Sequence, residues 1–236
     1  MCEAASHANV DAYLGGDELL ERPARGYARC RLPWCVCCNA ERFLSARGEA
    51  LARLGAASAA GLSFACLDLT TRNVPLGRLA RQRKALTSAA TWALTKTQPH
   101  PDGHWFGDHY LLSREGKWHF HRHMVVSAKG DALDAALALC ERYTQRMQAT
   151  IGSGSGSANA GRAHQPERFV CYVTEPWTRE PSREGGLNPI GMAARALQGD
   201  ASAARAFREV VRVLRHKPIF RGSGCLGAGF AEEDRR

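Results

Sequence analysis

The sequence predicts an α+β protein, with helices packed on an antiparallel sheet and a cysteine knuckle near the N-terminus. Three observations lead to this fold class. "LSFACLDL", Leu62 to Leu69, is a short apolar run ended by turn-forming residues, which is typical of a buried strand. Two further strand-like runs flank "SREGK", which predicts a β-hairpin. With one helical segment after the first strand and another after the hairpin, the order is that of a split βαβ unit.

The helices are predicted from capping signals and apolar spacing. After the helix of segment 29–58, the first of these follows Pro75, which suits an initial helical turn, and covers about Leu76 to Lys96. Asp131 begins the second, "DALDAALALCERYTQRMQA", and a third covers about Ala201 to His216. By contrast, glycine and serine dominate "GSGSGSANAGRAHQPE", 152–167, which predicts a flexible connection.

We divide the chain into four segments. The first, 1–28, is small, polar and glycine-containing, and we expect it to be a flexible arm. Segment 29–58 holds the cysteine knuckle and a helix that continues through Leu54. The core with the predicted strands is 59–180, and 181–236 is a helical, basic C-terminal extension.

The charge of the chain favours an anionic partner. There are 32 Lys+Arg against 23 Asp+Glu, which gives a net charge of +9, and only five of the basic residues are lysines. Arginine binds phosphate oxygens in pairs and stacks on bases, so this composition favours nucleic acid. A GC-rich genome also enriches arginine, which is the alternative explanation. The candidate DNA contacts are Arg81, on the basic face of the first predicted helix, Arg122 and Arg168.

Several protein classes are disfavoured. No apolar run is long enough to span a bilayer, and "MCEAASHANV" lacks the layout of a secretion signal, so we expect a cytoplasmic protein without a membrane partner. No GxxxxGK[ST] motif is present, so the sequence predicts no P-loop motor. The nine cysteines are then not expected to form disulfides. Four of them predict a structural Zn²⁺ knuckle, with buried thiols as the alternative: Cys30, Cys35, Cys37 and Cys38.

The stretch "WHFHRHMVVSA", 118–128, has three histidines at alternate positions: His119, His121 and His123. Alternate side chains of a strand point to the same face. A three-residue turn at 114–116 would pair His109 with His121 on that face. A turn one residue longer would put Asp108 there instead. Two imidazoles and a third nitrogen or oxygen ligand predict a divalent-metal site, and exposed histidines on a solvated strand are the alternative.

Three protein families use such a histidine strand differently. Histidine-triad nucleotide hydrolases use the central histidine as a nucleophile, cupins bind a metal inside an all-β barrel, and HUH endonucleases bind a metal that polarises a DNA phosphate attacked by a tyrosine. The predicted helices contradict a cupin. A histidine-triad hydrolase, which stays an alternative, needs neither an arginine-rich chain nor a cysteine knuckle. The HUH interpretation fits the rest of the chain best.

Four stretches, in the family's order, resemble the rolling-circle plasmid replication initiators, the single-tyrosine group of HUH endonucleases. "CRLPWCVCC" is similar to an N-terminal knuckle, and "FACLDLTTRNVPLGRL" to a strand and turn ending in asparagine. "GKWHFHRHMVV" resembles the HUH motif, and "FVCYVTEPW" the segment with the catalytic tyrosine. The similarity covers roughly residues 28–225.

The resemblance implies an HUH fold and an enzyme that nicks one strand of a plasmid origin. His121 and His123, with His109 or Asp108, would bind Mn²⁺ or Mg²⁺. Tyr172 would attack the phosphate and leave a 5′-phosphotyrosine and a 3′-OH primer, so that host helicase and DNA polymerase become partners. Cys30, Cys35 and Cys38 match the family's knuckle, with Cys37 as a candidate fourth ligand.

The sequence departs from the family pattern around the tyrosine. Some members carry a glutamate four residues before it to activate water, but this chain has Arg168 there and Glu167 one position further back. The family's flanking lysines are Cys171 and Glu175 here, which removes positive charge. This leaves a second hypothesis, an origin-binding or copy-control module with a vestigial site. The rival nucleophile is Tyr143, on a predicted helix, where we expect a packing or surface role.

Overall fold

The computed structural model describes residues 35–177, 185–215 and 217–227, without the side chains at positions 36 and 37. The predicted flexible arm, 1–28, lies outside these residues. Within them, six strands form one antiparallel sheet and helices pack on it. The α+β fold class is therefore confirmed.

The strands, in chain order, are β1 (Ser63–Thr71), β2 (Val74–Pro75), β3 (Gly103–Leu112), β4 (Lys117–Ala128), β5 (Gly156–Arg162) and β6 (Phe220–Gly224). Five of them lie side by side in the order β5–β1–β4–β3–β6, and β2 pairs with the start of β4. All of these pairings are antiparallel. The strand with the three alternating histidines, β4, is therefore central in the sheet.

The hairpin of β3 and β4 has the first of the two predicted registers. His109 pairs with His121, and the backbone N–H of Ser113 donates to the carbonyl oxygen of Lys117 over 2.9 Å. Gly116 closes the turn with a φ of 71°, in the left-handed region that glycine adopts without strain. The short turn therefore decides which side chains of the hairpin share a face.

The helices are α1 (Val36–Ala59), α2 (Leu79–Lys96), α3 (Ala132–Ile151), α4 (Pro166–Val173), α5 (Pro189–Leu197) and α6 (Ala201–Leu214). The three predicted from apolar spacing are present, with ends shifted by a few residues. Asp131 caps α3 as expected, because its carboxylate accepts the N–H of Leu133 at 2.9 Å. The helix α5 was not predicted; Asn188 caps it by accepting the N–H groups of Ile190 and Gly191.

A residue from the other end of the chain caps α2. The carboxylate of Glu209, in α6, accepts the N–H groups of Gly77 and Leu79 at 2.6 and 2.8 Å. It satisfies donors that have no partner within the helix and places a negative charge at the helix N-terminus. The helix begins three residues later than predicted, because Gly77 has a φ of 87° and the residues before it form β2.

The flexible connection predicted at 152–167 is wrong, because this segment contains β5. That strand pairs with β1 along its length, and the hydroxyl oxygens of Thr70 and Ser157 are 2.6 Å apart. A Cβ at position 156 would lie 2.8 Å from the carbonyl oxygen of Thr70, so Gly156 permits the close approach. Backbone hydrogen bonds to the open edge of β1 stabilise a strand even where side chains give no strand signal.

The sheet separates two hydrophobic clusters. On one face the larger cluster includes Leu86 of α2, Leu139 of α3 and Val210 of α6. On the other face α1 and α4 contribute Leu54 and Val173 to a smaller cluster. The alternating histidines lie on this second face, next to α4.

Candidate metal centre

Three imidazoles converge on the face of the sheet that carries α4. The ligand nitrogens of His109, His121 and His123 all lie within 4.8 Å of one another. Nε2 of His121 and Nε2 of His123 are 2.9 Å apart. His121 and His123 are buried and His109 is partly buried. In the described part of the chain this is the only such group of histidine, cysteine and acidic residues, and we name it the histidine cluster.

The outermost histidine of β4 flanks the cluster and is not part of it. Nδ1 of His119 lies 2.9 Å from Oδ1 of Asn73, and its ring centroid is 4.9 Å from that of His121. The residue opposite it on β3 is Leu111, which offers no ligand atom. The third nitrogen of the cluster therefore comes from β3, through His109.

Two hydrogen bonds orient the rings of the cluster. Nδ1 of His123 donates to the carboxylate of Asp68, and Nε2 of His109 donates to the carbonyl oxygen of Val173 at 3.1 Å. A neutral imidazole carries a proton on one nitrogen only, so these bonds leave lone pairs on Nε2 of His123 and Nδ1 of His109. Carboxylate and carbonyl partners of this kind orient metal-ligating histidines in proteins.

Asp68 is a site residue that the sequence analysis did not assign. It lies on β1, directly opposite His123, and its side chain is 43% exposed. An acid within the apolar run "FACLDL" was the available signal. Its partner could not be identified from that signal, because the pairing of β1 with β4 joins residues 55 positions apart.

Burial favours the neutral form of two rings of the cluster by lowering the pKa values of His109 and His121. Desolvation, together with the nearby His123, lowers the pKa of His109 to about 3. Desolvation and the neighbouring histidines also lower the pKa of His121 far below its usual value. A metal binds the neutral form of imidazole, so at neutral pH His109 and His121 offer lone pairs without first releasing protons.

This donor set could hold a divalent ion. Two imidazole nitrogens, each about 2.1 Å from an ion, are roughly 3 Å apart when the angle at the ion is near 90°. The 2.9 Å between Nε2 of His121 and Nε2 of His123 agrees with that spacing. Imidazole suits transition ions, whereas Mg²⁺ prefers oxygen ligands, so the chemistry of the set favours a transition ion.

Tyr172 lies beside the histidine cluster. Its ring centroid is 5.3 Å from that of His123 and 5.9 Å from that of His109. Position 107, opposite His123, is a glycine, and a Cβ there would collide with the side chain of Val173. Gly107 therefore lets α4 approach the sheet closely enough to bring the tyrosine to the imidazoles.

The rival tyrosine is a packing residue. Tyr143 is fully buried in α3, and its hydroxyl donates to the carbonyl oxygen of Thr70 at 2.8 Å. Burial raises the pKa of Tyr143 above its usual value, which disfavours the phenoxide that a nucleophile requires.

Two predicted site residues lie on the opposite face of the sheet. Asp108, the alternative metal ligand, is fully buried and binds Arg122 through two hydrogen bonds of 2.6 and 3.1 Å. Arg122 is 3% exposed and its guanidinium lies 3.8 Å from the ring centroid of Phe106, so its assignment as a DNA contact is wrong. Alternate residues of β4 point to opposite faces of the sheet, so the residues between the histidines face the larger hydrophobic cluster.

The remaining candidate residues are exposed. Glu167 and Arg168 are exposed in the first turn of α4. Five residues separate Glu167 from Tyr172, which places their side chains about 140° apart around the helix axis. Arg81 is exposed on α2, which packs on the opposite face of the sheet.

The cysteine knuckle stays a prediction. Cys30 and the side chain of Cys37 lie outside the described residues. Cys35 precedes α1 and is partly exposed, and Cys38 is buried in the first turn of that helix. Zinc analysis of freshly purified protein tests this prediction.

No family model matches the sequence, and comparisons with curated proteins and with solved structures also return no match. In the ranges that the structure describes, none of the helices has both the length and the apolar character needed to cross a bilayer.

Proposed function

We propose that this chain is a metal-dependent endonuclease that nicks single-stranded DNA through Tyr172, as the rolling-circle initiators do. One observation carries the proposal: three imidazoles with converging nitrogens share a site with a tyrosine ring 5.3 Å from one of them. Covalent phosphodiester cleavage requires a nucleophile next to a group that stabilises charge on the phosphate, and this site can supply both.

The strand order supports an HUH version of the split βαβ fold. The elements β1, α2, β3, β4, α3 and β5 follow one another along the chain. Their long strands lie in the order β5–β1–β4–β3, which suits a split βαβ unit. We propose that β6 and α4 are additions to this unit, with α4 bringing the nucleophile to the sheet.

The proposed substrate is plasmid origin DNA, single-stranded or extruded as a hairpin. A net charge of +9 favours binding to a polyanion. Because the sequence contains no P-loop motif, host helicase and DNA polymerase would act on the nicked product. A cytoplasmic location follows from this role.

The proposed reaction is an in-line displacement at phosphorus. Oη of Tyr172 forms a bond to the phosphorus as the bond from phosphorus to O3′ breaks. The phenolic proton leaves to solvent and O3′ takes one up, which gives a 5′-phosphotyrosine and a free 3′-OH. A divalent ion held by His109, His121 and His123 would withdraw charge from the non-bridging phosphate oxygens. Asp68 keeps the ring of His123 oriented for that ion through the bond to Nδ1.

The experiment compares two tyrosine variants with a labelled single-stranded origin hairpin. We expect the wild-type protein and Tyr143→Phe to form a covalent adduct that survives denaturing electrophoresis, in Mn²⁺ but not in EDTA. Tyr172→Phe should form none, because it lacks the nucleophilic oxygen. Since the cluster offers three nitrogens, Mn²⁺ should support the adduct at lower concentration than Mg²⁺.

An adduct with Tyr172→Phe, or its loss only with Tyr143→Phe, would refute the assignment of the nucleophile. His121→Gln in the same assay tests the cluster, and we expect it to abolish the adduct at any metal concentration that supports the wild type.

One observation supports a second candidate function, an origin-binding module that does not cleave DNA. Glu175 is exposed and lies three residues after Tyr172, whose carbonyl oxygen accepts its N–H at 3.2 Å. An acid at this place repels phosphate instead of binding it. Tight binding of the hairpin with no cleavage in Mn²⁺ would favour the module.

A further inference from the structure

A cavity lies on the face of the sheet opposite the histidine cluster, between the start of α2 and the end of α3. Its volume is about 310 Å³, at the small end of the range for small-molecule sites. The lining is largely apolar and includes Val74, Ala85, Met147 and Ile151. The rim is basic and carries Arg72, Arg78 and Arg81. We name it the arginine-rimmed cavity.

Two buried polar side chains line this cavity, each with an oxygen that has no hydrogen-bond partner among the described residues. Gln82 is 5% exposed, and its Nε2 donates to Oγ1 of Thr71 and to the carbonyl oxygen of Arg72 at 2.5 and 2.8 Å. Its Oε1 accepts nothing. Ser155 is 6% exposed and its Oγ is likewise unpaired. Buried polar atoms are nearly always hydrogen-bonded, so both oxygens call for a partner, which a water or the polar edge of a ligand can supply.

The positive charge at the rim is uncompensated. None of the three guanidinium groups forms an ion pair or a side-chain hydrogen bond in the described part of the chain, and none of the residues that line the cavity is acidic. A guanidinium binds phosphate through two parallel hydrogen bonds, so the rim suits the phosphate of a ligand whose other part is apolar.

We infer that the arginine-rimmed cavity binds one unpaired nucleotide, with the base inside and the phosphate at the rim. The edge of a base can donate an N–H to Oε1 of Gln82 and can exchange a hydrogen bond with Oγ of Ser155. Its faces can pack against the apolar wall, as in other pockets for extruded bases. The inference rests on the proposed function in one respect: the nucleotide belongs to the DNA strand that is cleaved. A free mononucleotide has the same chemistry.

The cavity and the histidine cluster flank the same end of β1. Thr70 pairs with His121, and the next residue, Thr71, lines the cavity. Asn73, which contacts His119, follows Arg72 at the rim. A DNA strand held at the cluster can therefore place a neighbouring nucleotide in the cavity by passing around this end of the sheet.

The test measures binding of a fluorescent single-stranded oligonucleotide in EDTA, where cleavage is not required. Arg72→Ala and Arg81→Ala should each weaken binding about tenfold, because each removes a charged hydrogen bond to phosphate. The matched control is Arg208→Ala, which removes the same charge from an exposed position on α6. It should change the affinity less than twofold. Equal effects of the three variants, or no effect of any, would overturn the inference.

A second variant tests the base rather than the phosphate. Ser155→Ala removes the unpaired hydroxyl without breaking a hydrogen bond, and it should weaken binding about threefold with no change in thermal stability. A deoxynucleoside monophosphate should compete for the cavity at concentrations where inorganic phosphate does not. Competition by phosphate at the same concentration would overturn the placement of a base in the cavity.

Two further arms identify the source of the nucleotide and separate this inference from the proposed function. The affinities of a free mononucleotide and of the oligonucleotide are compared, each with the wild type and with the Arg72 and Arg81 variants. Tighter rim-dependent binding of the oligonucleotide indicates the substrate strand, and equal or tighter rim-dependent binding of the mononucleotide indicates a free ligand. Failure of Tyr172 to form an adduct refutes the nuclease while rim-dependent binding persists. Cleavage with rim-independent binding refutes the cavity alone.

Discussion

Asp68 and Asp108 lie on opposite faces of one sheet, and each contacts a basic side chain of β4. Asp68 is 43% exposed and accepts a hydrogen bond from Nδ1 of His123, whose Nε2 points toward the other rings of the histidine cluster. Asp108 is fully buried and binds the guanidinium of Arg122 through both oxygens. The two partners, at 122 and 123, are adjacent in the sequence. Because alternate side chains of β4 point to opposite faces, the face with Asp108 pairs its own charges, and the face with Asp68 leaves imidazole nitrogens for a ligand. We name them the closed face and the open face of the sheet.

The closed face also fixes the geometry of the open one. Arg83 extends the buried pair into a network, since its Nε donates to the hydroxyl of Tyr110, which donates to Asp108. A slip of one residue between β3 and β4 would move Asp108 to the other face and leave Arg122 buried alone. Burial of the Asp108–Arg122 pair therefore makes other registers of β3 and β4 less stable than the one that pairs His109 with His121.

The largest predicted effect follows from opening the closed face. Asp108→Ala should lower the free energy of unfolding by about 3–5 kcal/mol, because it leaves Arg122 buried without a counter-charge. Asp68→Ala, on the open face, should lower it by less than about 1 kcal/mol, because that carboxylate is partly solvated. Urea unfolding at neutral pH in EDTA measures both. Equal effects of the two variants would contradict the contrast between the faces.

A smaller predicted effect is a loss of folding stability at low pH, caused by protonation of His109 and His121 in the unfolded state. The pKa of His109 is lowered to about 3, whereas in the unfolded chain it is near 6.5, so between these values only the unfolded state takes up the proton. Stability is therefore complete above pH 6.5 and falls as the pH falls. The loss from His109 reaches about 2 kcal/mol at pH 5, and His121 acts in the same direction.

Urea unfolding of the metal-free protein between pH 7 and pH 5 checks this prediction. The double variant His109→Gln with His121→Gln should flatten the dependence. A residual slope from His104, whose pKa burial lowers to about 4, should stay in both proteins. Identical slopes for the wild type and the double variant would show that His109 and His121 are not neutral in the folded state.

Metal affinity should respond to Asp68 although that residue is not a ligand. Asp68→Asn removes the charge that orients His123, and we expect divalent-ion affinity to fall about 10- to 100-fold. Calorimetric titration with Mn²⁺ measures this change. Asp134→Asn, at an exposed position on α3, is the matched control and should leave the affinity unchanged. A similar loss in both variants would indicate a general charge effect.

The site was predictable where one local rule decides it. Two-residue periodicity and a three-residue turn are enough to bring His109 to His121. The same rules give no position for Asp68, because its distance from His123 depends on how β1 joins the sheet. They also could not exclude Asp108, since the length of the turn was the open variable.

The fold was predictable to a similar degree. Apolar spacing and caps predict α2, α3 and α6 within a few residues, because these signals are local. The strand β5 was missed because its side chains are small and polar, and the edge of β1 supplies its hydrogen bonds. The start of α2 was missed because β2 and Gly77 precede it and because its cap, Glu209, comes from 130 residues further along the chain.

The smallest predicted effect concerns the buried tyrosine that serves as the control for the nucleophile. Tyr143→Phe leaves the carbonyl oxygen of Thr70 without its 2.8 Å partner and should lower the free energy of unfolding by about 1 kcal/mol. Gln145→Ala, two positions further along the same helix but exposed, should change it by less than about 0.5 kcal/mol. Thermal unfolding compares the two. A domain of ordinary stability, about 5–15 kcal/mol, stays folded after a loss of this size, so an adduct formed by Tyr143→Phe reports on chemistry and not on folding.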